Sequence, residues 1–204
     1  MKKNILLVVD TQYDFMVSDG ALYVPGAEDI IVPLIKYVNN ISTDDFHLVY
    51  STMDSHTEAA YSVSEEAKQF PIHCVVGTLG IENIINLEGI MGILPVFIQC
   101  KSVFDMWAPP TNGGKSWVYE AYCSDDEPAP LEDFWKDAKK ITNEVYVVGV
   151  ATDVCVKYAV VGLLERGFKV AVVDALTRGI ESNSCNSPDL AEYINTKQLR
   201  FIAE

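Results

Sequence analysis

The sequence predicts an α/β protein, a doubly wound three-layer α/β/α arrangement around a mostly parallel sheet. Two observations predict it. Short runs rich in Ile, Leu and Val recur along the chain, with helix-period patterns between them. The runs are apolar on both faces, as strands are when helices cover a sheet from two sides.

The elements follow in order. Residues 4–9 form the first apolar run and residues 46–52 the second. The third covers 94–100, the fourth 144–150 and the fifth 169–173. Their length and β-branched content favour strand over helix. Residues 27–39 carry Ile30, Ile31, Leu34, Ile35 and Val38 on one 3.6-period face. Residues 131–141 and 153–166 read as further helices, the second stopped by Gly167, and 189–196 as a last one. Two long stretches, 53–81 and 102–130, lack periodicity and hold most of the histidines, prolines and aromatics. Loops of that length in a small domain are usually functional.

Composition narrows the partners. The 204 residues predict one domain over 1–204, with nothing marking a boundary. Lys+Arg 15 against Asp+Glu 29 gives a net charge of −14, which argues against nucleic acid or an anionic membrane as partner. No run reaches the roughly 18 apolar residues of a membrane helix, and the run after Lys2 and Lys3 is too short for a signal-peptide core. A cytoplasmic protein is expected. Five cysteines, with no C-x-x-C pair, fit neither a disulfide framework nor a thiolate zinc site.

Ligands of open α/β sheets bind beyond the carboxyl ends of the strands. Asp10 follows the first run, Asp54 and His56 the second, Lys101 the third, Cys155 the fourth and Asp174 the fifth. With Thr152 or Asp153 as N-cap, Cys155 falls in the first helical turn, where the helix dipole favours a thiolate. Free N–H groups of that turn could hold an oxyanion. A buried Asp10 and Lys101 must be paired or catalytic; a structural ion pair and a small core cysteine are the bland alternatives. Asp54, His56 and His73, with Glu66 between them, supply ligands suited to zinc, manganese or iron. Phe15, Tyr61, Phe70, Trp107 and Trp117 could wall a pocket for a flat ring. Gly114-Lys115-Ser116 is no P-loop, because Pro109 stands where its first glycine belongs.

These residues resemble a known family. LLVVDTQYDF, the lysine closing VFIQCK, and GVATDVCV are similar to the isochorismatase-like cysteine hydrolases. FPIHCVVGTLG resembles the W-P-x-H-C-x-x-G-T-x-G segment of their nicotinamidase (pyrazinamidase) subgroup, with Phe70 in place of Trp. Two features depart: TEAAYSVSEE lacks a further histidine of many members, and EAYCSDDE matches the YSAF-like element poorly.

The resemblance implies a triad of Asp10, Lys101 and Cys155. It implies one divalent metal ion, zinc before manganese or iron, on Asp54, His56, His73 and Glu66, the last preferred over Glu65. It implies a cis peptide between Val150 and Ala151 that aims the N–H groups of Ala151 and Cys155 at a carbonyl oxygen. The expected reaction is hydrolysis of nicotinamide to nicotinate and ammonia through a Cys155 thioester. The ring would be oriented by the metal and sandwiched by Phe15 and Phe70. The substrate is then a small carboxamide, and a homo-oligomer stays open. So do a metal-independent amidase of the same superfamily acting on a ureido or carbamoyl compound, isochorismate hydrolysis, and a non-catalytic metabolite-binding protein.

Overall fold

A computed structural model describes residues 2–110, 114–121, 127–182 and 187–203. Cys123, Cys185 and most of EAYCSDDE lie outside the described residues. In chain order the elements are β1 (Lys3–Val9), α1 (Tyr13–Met16), α2 (Ala27–Asn39), β2 (Phe46–Asp54), α3 (Glu58–Tyr61), α4 (Glu88–Met91), β3 (Val96–Lys101), β4 (Trp117–Glu120), β5 (Ala129–Pro130), α5 (Leu131–Ile141), β6 (Thr142–Val150), α6 (Cys155–Glu165), β7 (Val170–Arg178), α7 (Ala191–Asn195) and β8 (Leu199–Ile202). The strands form one sheet in the order β5-β4-β3-β2-β1-β6-β7-β8. From β3 to β8 the pairs are parallel, and β4 and β5 join antiparallel at one edge.

β1 shows why the sheet is covered twice. Successive side chains of a strand point to opposite faces. Ile5, Leu7 and Val9 pack with Trp135 of α5 and Val156, Ala159, Val160 and Leu163 of α6. Leu6 and Val8 pack on the other face with Ile30, Leu34 and Val38 of α2. The sheet is therefore mostly parallel with helices on both sides, as the apolar runs predict.

Three short strands went unread in the sequence. β4 alternates, with only Val118 fully covered between exposed Trp117 and Tyr119, so it shows no continuous apolar run. β5 is two residues long, and β8 buries only Leu199. Strands at or near a sheet edge need no two-sided hydrophobicity, so a continuous apolar run does not mark them. β7 runs four residues beyond Asp174, past a register shift opposite Val147 and Gly149. Asp174 thus lies within the strand and not beyond its carboxyl end.

The topology positions the site. From β1 the chain moves outward through β2, β3, β4 and β5, then crosses back to lay β6 on the other flank of β1. The order reverses between β1 and β6, and a crevice opens beyond such a switch point. Asp10 and Cys155 flank it.

Candidate active site

Asp10 leaves β1 in the left-handed region, φ +47°, fully buried. Thr52 of β2 donates to its Oδ1 at 2.7 Å. Lys101 closes β3, and its Nζ lies 2.8 Å from Asp10 Oδ2, 2.8 Å from Asp54 Oδ1 and 3.8 Å from Cys155 Sγ. Cys155 opens α6 and is 5 % exposed. The three residues expected to act together therefore meet around one ammonium. The Val150–Ala151 peptide is cis. As first residue of α6, Cys155 has an N–H that precedes the first intrahelical bond.

Burial dominates the electrostatics here. It raises Asp10, and Lys101 offsets only part of the shift. Burial alone would lower Lys101, but the carboxylates of Asp10 and Asp54 outweigh it and hold the ammonium charged. Burial pushes the Cys155 thiol well up, against the pull of Lys101. The direction is opposite to the one a helix N-terminus alone would give. Asp10 is the carboxylate beside the thiol.

The N-cap expectation also changes. α6 is preceded by Val154 with no side-chain cap. Asp153 turns away and accepts the N–H groups of Ile180, Glu181 and Ser182 at 2.9, 2.7 and 3.1 Å. Thr152, fully buried, does not cap the helix either.

The second cluster adjoins the first through Asp54. Its Oδ2 lies 3.4 Å from His73 Nε2 and 3.9 Å from His56 Nε2, and Glu66 Oε2 lies 3.7 Å from His56 Nε2. Backbone pairing brings the two histidine segments together. His56 N–H donates to Cys74 O, and Val76 N–H donates to His56 O. His73 Nδ1 lies 2.9 Å from the carbonyl of Pro71, which can only accept, so Nε2 carries the lone pair. Tyr61 braces this turn from behind, donating to the carbonyls of Phe70 and Pro71.

Asp54 Oδ2, His56 Nε2, Glu66 Oε2 and His73 Nε2 are buried and have no hydrogen-bond partner among the described residues. Four converging orphaned donors of this kind are costly unless something binds them. A divalent cation fits the set of two carboxylates and two imidazoles. Asp54, His56 and His73 by themselves place ligand atoms within 4.8 Å of one another. Between the neighbouring glutamates, Glu66 is 8 % exposed, whereas the Glu65 side chain is 84 % exposed and paired with Lys68.

Beside Cys155 lies a tight apolar cavity with a free volume of about 10 Å³, bounded by Phe15, Phe104, Val150, Ala151, Cys155 and Ile180 among others. Phe15 occupies the wall expected of it. Phe70 does not line this cavity: it stands edge-on behind Phe104, with ring centroids 5.2 Å apart. Phe104 takes the wall position, near-parallel to His73 at 5.9 Å, and its N–H donates to Glu66 Oε1 at 2.8 Å. The sequence reading passed over Phe104. Its position three residues after Lys101 was the available signal. Trp107 packs on Trp135 and under Arg166, Trp117 lies on β4, and Tyr61 braces the histidines, so none of these three walls the cavity. His47 is exposed on β2.

A family profile described as Isochorismatase domain matches residues 131–186. The nicotinamidase of Saccharomyces cerevisiae is 26 % identical, with 87 % of this chain and 89 % of that protein covered. The nicotinamidase/pyrazinamidase of Mycobacterium tuberculosis is 27 % identical, with 88 % of each covered. A crystal structure of the pyrazinamidase of Pyrococcus horikoshii in complex with zinc superposes with a TM-score of 0.66 at 26 % identity, covering 98 % of both chains.

Proposed function

We propose that the chain is an isochorismatase-like hydrolase of the nicotinamidase subgroup, as its similarity to nicotinamidases along most of its length supports, and that it hydrolyses nicotinamide to nicotinate and ammonia through a thioester on Cys155. One observation carries the reading: Lys101 Nζ joins Asp10 and Cys155, whose thiol lines a cavity walled by Phe15 and Phe104, to Asp54, which with His56, Glu66 and His73 brings together four buried ligand atoms that lack a hydrogen-bond partner among the described residues. A relative carrying zinc supports that metal for the second cluster.

In this reading Asp10 takes the thiol proton as Cys155 Sγ attacks the amide carbon. Lys101 keeps its charge and stabilises the anions on either side. The N–H groups of Ala151 and Cys155 receive the developing oxyanion. Asp10 returns the proton to the departing nitrogen, releasing ammonia and leaving the thioester. It then deprotonates a water, which attacks the thioester carbon, and the proton goes back to sulfur as nicotinate leaves. Asp54, His56, Glu66 and His73 would hold the metal, which when bound supplies a Lewis-acidic anchor for the ring nitrogen. Phe15 and Phe104 orient the ring over Sγ.

The test is ammonia release from nicotinamide by the purified protein, with and without a metal chelator. Release that stops on chelation and returns with zinc supports the reading. A zinc-loaded protein that releases none overturns the substrate.

A further inference from the structure

The segment that supplies Asp10 also contributes Gln12 and Asp14, which the mechanism does not use. Gln12 is fully buried. Its side-chain amide grips the backbone of Asp54 from both sides: Nε2 donates to Asp54 O at 2.8 Å, and Oε1 accepts Asp54 N–H at 2.6 Å. Nε2 also donates to Ile81 O at 3.0 Å. Asp14 is nearly as buried and reaches the other half of the cluster, where its Oδ2 accepts the N–H of Cys74, next to His73, at 2.7 Å. Its Oδ1 accepts Ala21 N–H at 3.0 Å. Gly80 lets the loop close onto this carboxylate, since a Cβ there would lie 2.1 Å from Asp14 Oδ2. Neither side chain lines the cavity.

We propose that Gln12 and Asp14 are positioning residues for the metal ligands, Gln12 setting the backbone of Asp54 and Asp14 that of His73. The inference rests on the metal reading above. The physical reason is the loop's length. Residues 55–81 carry His56, Glu66 and His73 on short turns, with no long element to fix them. Ligand precision must then come from side chains outside that loop, and Gln12 and Asp14 stand on the short segment that leaves the central, buried strand β1 and enters α1. Asp10, Gln12 and Asp14, at alternate positions of one segment, thus serve the thiol, the first ligand strand and the ligand loop in turn.

The experiment measures zinc affinity by competition with a chromophoric chelator, alongside thermal melting. It uses the metal-stripped full chain as wild type, Gln12→Met, Asp14→Asn and Leu163→Ala. Gln12→Met and Asp14→Asn are expected to bind zinc about 10- to 100-fold more weakly. Leu163→Ala, a truncation in the α5/α6 layer, is expected to melt lower at unchanged zinc affinity. Wild-type affinity in both motif variants overturns the inference and leaves the proposed function standing. Equal weakening in all three variants also overturns it, because the effect is then general destabilisation. A wild-type chain that takes up no zinc overturns the metal reading and this inference with it. If Gln12→Met fails to fold, Asp14→Asn, which keeps an acceptor toward Ala21, decides the matter.

Discussion

Lys101 shows how one side chain can belong to two chemistries. Its ammonium contacts Asp10 and Asp54 at the same 2.8 Å, so it joins the proposed base to a proposed metal ligand. In metal-stripped protein, Lys101→Met leaves two buried carboxylates without a counter-charge. Stability measured by urea unfolding should fall by about 3–5 kcal/mol, and an unchanged midpoint would refute the pairing as drawn. Cys155→Ala should lower ammonia release by at least about 10³-fold while equilibrium dialysis still detects nicotinamide. Phe104→Leu should raise KM about 2- to 10-fold, the worth of a lost aromatic contact, with kcat less affected; an unaltered KM would remove Phe104 from the wall. Asp10, Lys101 and Cys155 were legible because each is an unusual residue type at the end of an apolar run. Phe104 was not, because an aromatic after a strand looks like any core residue until its neighbours are known.

The elements differ in how plainly they announce themselves. α2 and α5 occupy the predicted spans, since each has an apolar stripe long enough to set its own limits. α6 also ends where Gly167, at φ +77°, permits the reversal. Its start was misjudged, because Asp153 resembles a cap in the sequence and instead binds a loop 27–29 residues away. One contact ties α6 to the Lys101 loop. Trp107 sits in the notch at Gly162, where a Cβ would come within 2.0 Å of the indole nitrogen. Gly162→Ala should therefore destabilise by about 1–3 kcal/mol, despite the usual helix preference for alanine. Chemical denaturation measures this, and a more stable variant would mean that Trp107 does not fill the notch.

For the whole molecule, the metal should act as a structural ligand as well as a chemical one. A chelator should lower the melting temperature, and zinc at about 100 times its Kd should restore about 2.7 kcal/mol of stability, because the orphaned donors regain a partner. An unchanged melting curve would show that those donors are satisfied in some other way. By itself, the sequence determined the α/β class and the central strands, and it singled out Asp10, Lys101 and Cys155 and the residues of the second cluster as candidates. These are read from local period and from residue chemistry. Only the tertiary structure decided which glutamate turns inward, which phenylalanine faces the cavity, and that Gln12 and Asp14 grip the ligand loop. Those choices depend on contacts between residues far apart in the chain, such as Gln12 with Asp54 and Glu66 with Phe104. Local pattern cannot encode them, because they arise only when the sheet brings its loops to one edge.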